Sequence, residues 1–137
     1  MLRIWLPTMC IVDVHNYARF NGVLIGQGGP PNEVPVNLWS QLATHYANES
    51  RIIFGVMDEP HDIFNIVAWA ETVQEVVTAI RNAGATTQMI IMPGNDFTSV
   101  VAFIENGSGG NSSYLPLIET GTMSDVTNSC FDECYKP

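Results

Sequence analysis

Two glutamates, Glu59 and Glu119, each stand directly after a short apolar run. Ile52-Ile53-Phe54-Gly55-Val56-Met57 precedes Asp58-Glu59-Pro60, and Leu115-Pro116-Leu117-Ile118 precedes Glu119-Thr120-Gly121. Paired carboxylates across one cleft suit glycoside hydrolysis, one as proton donor and the other as nucleophile or base. Each could equally be a polar strand end that reaches solvent. Two of them, with His15 and Asn95 at equivalent ends of other apolar runs, favour a site. The same carboxylates could hold Mg²⁺, but the region lacks the density of Asp expected of such a centre.

The cysteines and histidines offer less. Cys10, Cys130 and Cys134 are three, so one stays free or pairs outside the chain. Cys130 and Cys134 are close enough in sequence to bridge one turn, under strain. A zinc site would need His ligands at suitable spacing, and His15, His45 and His61 show none. The Gly-rich stretch Gly26 to Pro31 is not a phosphate cradle, because no Lys follows it.

Charge narrows the partners. The 137 residues carry 14 acidic and 5 basic side chains, a formal net charge of −9. No cluster of Lys and Arg exists to displace counterions from a nucleic acid, so that class is excluded. Apolar residues at 46 % supply enough material for one buried core, and a single domain over residues 1–137 is expected. No apolar run reaches membrane-spanning length. Met1 to Val14 faintly imitates a signal peptide but has no small-residue cleavage site, and Asp13 and His15 follow at once. Any secretion signal is therefore expected outside these residues. Sequons at Asn48, Asn106 and Asn111 permit secretion.

The elements that must position these residues alternate. Cys10 to Val14 reads as a buried strand, followed by a Gly- and Pro-rich stretch, Asn21 to Pro35, in which no regular structure is expected. Asn37 is a fair N-cap for a helix with Leu38, Trp39, Leu42 and Tyr46 on its apolar face. Arg51 to Met57 is the next strand. Trp69, Val73, Val76, Val77 and Ile80 recur on one helical face, so a helix is expected over Ala68 to Ala83, with Gly84 just past its C-cap. Met89 to Met92 is a strand, Ser99 to Ile104 a short helix, and Leu115 to Ile118 a last strand. Strands alternating with helices imply an α/β fold, a parallel sheet with crossover helices. His15, Glu59, Asp96 and Glu119 then all fall at the C-terminal ends of strands, the edge where such folds bind ligands.

The motifs carry a resemblance. Cys10-Ile-Val-Asp-Val-His15-Asn16-Tyr17-Ala-Arg19 and Ile25-Gly-Gln-Gly-Gly-Pro30 resemble the third strand and loop of fungal family 5 glycoside hydrolases, the endo-β-1,4-glucanases or cellulases. Phe54-Gly-Val-Met-Asp58-Glu59-Pro60-His61-Asp62 resembles their fourth-strand motif, and Thr72 to Gly84 the helix after it. Pro93-Gly-Asn95-Asp96-Phe97 resembles the end of their fifth strand. The resemblance implies a (β/α)8 barrel, here shortened to roughly half, that cleaves internal β-1,4-glucosidic bonds with retention. It implies Glu59 as general acid/base and, through the short Glu119-Thr120-Gly121 context, Glu119 as nucleophile. It implies that His15 lines the cleft with Asn16 and Tyr17 in the same motif, and that Asp58 and Phe97 face substrate. Phe20 and Phe97 fall where the family often has Trp. Trp39 and Trp69 are expected in the core. No cofactor or metal is implied, the partner is a β-glucan polysaccharide, and the setting is extracellular.

Two departures matter. The counterparts of the family's first, second, sixth and eighth strands do not occur in these residues. Open sheet edges invite pairing, so a homodimer in which each chain covers the other's edge is one expectation and a reduced barrel the other. The three cysteines would lack their family partners, which makes intermolecular disulfides conceivable. The second departure is Asp58, where the family reads Asn-Glu-Pro. An Asn amide can donate to the sugar 2-hydroxyl, a bond that strengthens in the transition state; an ionised Asp only accepts. The alternative function is therefore a β-glucan-binding module that barely turns substrate over. Asp58→Asn is expected to raise the rate of glucan hydrolysis in a reducing-sugar assay, and an unchanged or lower rate would contradict this role for position 58.

Overall fold

The computed structural model describes residues 8–99. Trp5, Cys130, Cys134, Glu119, the strand expected over 115–118 and nearly all of the short helix expected over 99–104 lie outside them. The order of elements is β1 (Cys10–Asp13), β2 (Arg19–Phe20), β3 (Val23–Leu24), α1 (Glu33–Tyr46), β4 (Ile52–Gly55), α2 (Ile66–Asn82) and β5 (Ile90–Ile91). A single turn follows at Asp96–Thr98. β1, β4 and β5 form one parallel sheet in that order, and β2 and β3 form a separate antiparallel hairpin. This is the α/β pattern of parallel strands joined by helices that the sequence implied, and among the described residues the sheet does not close.

The register of the β1–β4 pair runs from Cys10 opposite Ile52 to Asp13 opposite Gly55. Gly55 is needed for that approach. A Cβ there would lie 3.0 Å from Asp13 Cβ. Both helices bury apolar stripes against the sheet. Trp39, Phe54, Trp69, Val73, Val76 and Ile80 are all at most 1 % exposed. Trp39 donates its indole N–H to the Val56 carbonyl at 3.1 Å and meets the Phe54 ring edge-on at 5.8 Å. A tryptophan that buries its ring and also satisfies its N–H fixes α1 to β4 in position as well as in energy.

Helix α2 starts where the Asn65 side chain accepts a hydrogen bond from Ala68 N–H. It ends at Ala83, and Gly84 takes the left-handed conformation at φ +96°, as the sequence reading placed it. Helix α1 begins five residues earlier than the Asn37 cap implied, with Asn32 as its cap residue. Pro35 lies within the first turn, where its missing N–H costs nothing, so it does not delay the helix. Leu38, expected on the apolar face, is 43 % exposed.

Three further expectations are corrected. The stretch Asn21 to Pro35 holds regular structure: β3 and the start of α1. Asn21 and Gly22 both have positive φ, 49° and 80°, which fits the type I′ turn of a two-residue hairpin loop. The segment after it is held to α2 by a reciprocal pair, Gln27 Nε2 to the Asn65 carbonyl at 3.0 Å and Asn65 N–H to Gln27 Oε1 at 3.1 Å. β1 is not a buried strand: Cys10 is exposed and Ile11 is 56 % exposed. Among the described residues it stands at the edge of the sheet, and a parallel strand is buried on both faces only when helices cover both. β5 is also shorter than Met89–Met92, with two residues in the ladder.

At the opposite end of the molecule, Gln88 closes α1. It is 2 % exposed, and its Nε2 lies 3.1, 2.9 and 3.3 Å from the carbonyls of Tyr46, Ala47 and Glu49. The Tyr46 and Glu49 carbonyls also accept from the N–H groups of Glu49 and Ile52, so the Ala47 carbonyl just past the helix depends most on Gln88. Replacing Gln88 by Leu removes its donor, and urea denaturation should show a loss of about 1–3 kcal/mol.

Candidate active site

The site is built where β1 and β4 end. Asp58 N–H donates to the Val14 carbonyl at 2.9 Å, continuing the pairing past the last strand residues. Ala18 N–H lies 3.1 Å from Met57 Sδ, which ties the turn after β1 to the end of β4. His15, Asn16, Tyr17, Asp58 and Glu59 therefore come from two neighbouring strand ends and occupy one edge.

His15 is open to solvent, its side chain 62 % exposed, so it is not a core histidine. Its Nδ1 lies 3.1 Å from Asp58 Oδ2 and 3.5 Å from Asp13 Oδ2. Its Nε2 lies 3.4 Å from the Tyr17 hydroxyl, and the two rings meet edge-on. Asn16 Oδ1 is buried with no hydrogen-bond partner among the described residues. Asp58 is thus turned toward His15, and its position next to Glu59 in the chain does not make it Glu59's partner.

Glu59 is exposed and sits in the left-handed region, at φ +40°. Tyr17, Ala18, Asp62, Asp96, Phe97 and Thr98 share that region, all in the turns beyond the strand ends. Such conformations cost about 1–3 kcal/mol each for a side chain with a Cβ, and they concentrate where function requires them. The turns support one another. Phe97 N–H donates to the Pro60 carbonyl at 2.9 Å, and Asn95 Oδ1 accepts from Ile63 N–H at 3.1 Å.

Phe97 is 56 % exposed and stacks on His61, ring centroids 4.6 Å apart and planes 13° from parallel. His61 is in turn held by Asp62, Nδ1 to Oδ2 at 2.7 Å, and its ring lies 5.7 Å from that of Tyr17. A row of Tyr17, His61 and Phe97 therefore spans the ends of β1, β4 and β5. Phe20, on the hairpin, is also exposed.

Of the residues singled out in the sequence, the structure gathers His15, Asn16, Tyr17, Asp58, Glu59 and Phe97 on the same edge of the sheet. Glu119 lies outside the described residues, and so does its separation from Glu59. Two participants were missed. His61 has no metal-ligand spacing in the sequence, and its stacking on Phe97 joins segments 36 residues apart. Asp13 was read as part of a strand, yet its spacing of two from His15 was the available signal, since residues i and i+2 share a strand face.

A family model described as cellulase, glycosyl hydrolase family 5, matches residues 8–125. Endoglucanase EG-II of Hypocrea jecorina is 58 % identical over 127 residues, covering 93 % of this chain and 29 % of that protein. The manganese dependent endoglucanase Eg5A of Phanerodontia chrysosporium is 50 % identical, covering 85 % of this chain and 34 % of that protein. The crystal structure of Cel5A (EG2) from Hypocrea jecorina superposes with a TM-score of 0.74 over 84 % of this chain and 33 % of that one. The chain thus spans about a third of the length of these relatives, and over that span it belongs to glycosyl hydrolase family 5, the cellulases.

Proposed function

We propose that this chain carries an endo-β-1,4-glucanase site, with Glu59 as acid/base and Glu119 as nucleophile, acting on cellulose or a related β-glucan outside the cell. The observation that supports it most directly is the placement of Glu59. It is exposed at the C-terminal end of β4, beside the His15 end of β1, in a strained turn of a family 5 chain.

In this reading the Glu59 carboxylic acid protonates the glycosidic oxygen as the bond to the anomeric carbon breaks. Glu119 attacks that carbon from the opposite face and forms a glycosyl ester. Water then cleaves the ester, with Glu59 taking its proton. His15 and Tyr17 line the edge along which the glucan lies. The exposed face of Phe97 offers an apolar surface for a sugar ring, and His61 behind it holds the ring in place.

One feature favours the alternative, a β-glucan-binding module of low turnover. The Asp58 carboxylate is engaged with His15 at 3.1 Å and brings no amide donor to a sugar hydroxyl.

The manganese in the name of the Phanerodontia relative also bears on this edge. Asp13, His15 and Asp58 each present one oxygen or nitrogen ligand atom within 4.8 Å of the others, a donor set that suits such a cation. Bound there, it would supply positive charge beside the strand ends.

Hydrolysis of carboxymethyl-cellulose by the purified chain tests the enzyme reading. Glu59→Gln should lower the rate about 10²- to 10⁴-fold. A rate unchanged by that substitution, or none in the unaltered chain, overturns it and leaves the binding module.

A further inference from the structure

Asp13 and His15 are two residues apart along β1 and its extension, so both side chains leave the same face. Asp58 reaches them from the end of β4, where its N–H is fixed to the Val14 carbonyl at 2.9 Å. The three side chains therefore converge through backbone pairing, and no flexible loop sets their spacing.

The distances have the size that a shared ion requires. Oxygen and nitrogen ligands sit about 2.0–2.2 Å from a transition-metal cation. Two ligands at that radius are about 3.0 Å apart at right angles and about 3.5 Å apart at the tetrahedral angle. His15 Nδ1 lies 3.1 Å from Asp58 Oδ2 and 3.5 Å from Asp13 Oδ2.

Protein hydrogen bonding alone leaves the cluster over-subscribed. One imidazole nitrogen faces two carboxylates and has at most one proton to give. Among the described residues no Lys or Arg forms an ion pair with Asp13 or Asp58. The other ring nitrogen faces the Tyr17 hydroxyl at 3.4 Å. A ligating histidine commonly has its second nitrogen held in this way, which fixes the ring. Asp58 is also the residue by which this chain departs from the Asn of the motif it resembles. That departure turns a neutral amide into the second anionic oxygen of the set.

We propose that Asp13, His15 and Asp58 bind one divalent cation of the manganese–zinc class, with water filling its open positions. Two carboxylate oxygens favour Mn²⁺, and the imidazole extends the range to Zn²⁺. The side chains of Asp13, His15 and Asp58 are 40 %, 62 % and 32 % exposed, so an ion and its waters can enter from solvent. The inference rests on the manganese clause of the reading above and not on hydrolysis. A chain that binds the ion and cleaves no glucan would refute the enzyme and leave this site standing.

The test is a Mn²⁺ titration of the whole purified chain, with free Mn²⁺ followed by its electron paramagnetic resonance signal. One ion per chain should bind with a Kd below about 1 mM, the weak end of known protein sites for hard divalent cations. Asp58→Asn and Asp13→Asn should each weaken binding about tenfold or more, whereas Glu33→Gln, at the start of α1, should not. Proton NMR of the unaltered chain gives an independent readout if a variant fails to fold. Substoichiometric Mn²⁺ should broaden the ring signals of His15 and Tyr17 and leave those of His45, in the last turn of α1, sharp. No loss of free Mn²⁺ at about 1 mM would overturn the proposal. So would equal broadening of His45, or folded Asp58→Asn and Asp13→Asn chains with unaltered affinity.

Discussion

The pairing of β1 with β4 is the constraint on which the rest of this molecule depends. Four residue pairs in parallel register bring Asp13 opposite Gly55, and the missing side chain of Gly55 lets the two backbones close. One hydrogen bond further on, Asp58 N–H to the Val14 carbonyl, the ladder gives way to the turns that carry His15 and Glu59. Asp13, His15, Asp58 and Glu59 take their positions from that register. A slip by one residue would send Asp13 and His15 to the opposite face of the sheet.

The helices serve the same arrangement from behind. Trp39 locks α1 to β4 by a ring contact and a hydrogen bond at once. α2 holds the long segment before α1 through Gln27 and Asn65. The apolar core is therefore continuous on the helix side, while the strand ends are left polar and strained. Strain at Glu59, Tyr17, Asp96 and Phe97 is sustained because backbone hydrogen bonds between neighbouring turns over-determine their conformations.

Much of this was legible in the residues. The continuous apolar run before Glu59 marked β4, and the period of Trp69 to Ile80 marked α2, because burial on one or both faces leaves those signatures. Trp39 and Trp69 fell in the core as expected. The hairpin was missed although Asn21-Gly22 is its strongest local signal, since the surrounding Gly and Pro read as irregular. The exposure of β1 was not legible, because burial depends on what covers a strand and not on its own sequence. Neither the His61–Phe97 stack nor the approach of Asp58 to Asp13 and His15 appears in any spacing along the chain, since each joins residues from different strand ends. The family motifs pointed to Glu59 and Asp58 by position only; their surroundings required the fold.

The order of strands in the sheet, β1, β4, β5, repeats their order along the chain. Each strand of the sheet docks on the strand of the sheet that precedes it in the chain, with a helix between. Cys10 pairs with Ile52 and Phe54 with Ile90, so each pairing closes a long loop and waits for its crossover helix. On a ribosome, β1, α1 and β4 can come together before β5 is synthesised. The edge bearing His15, Asp58 and Glu59 would then be shaped early, and the turn bearing Phe97 would be laid against it afterwards. The binding edge is in this sense a product of the order of synthesis as well as of the final packing.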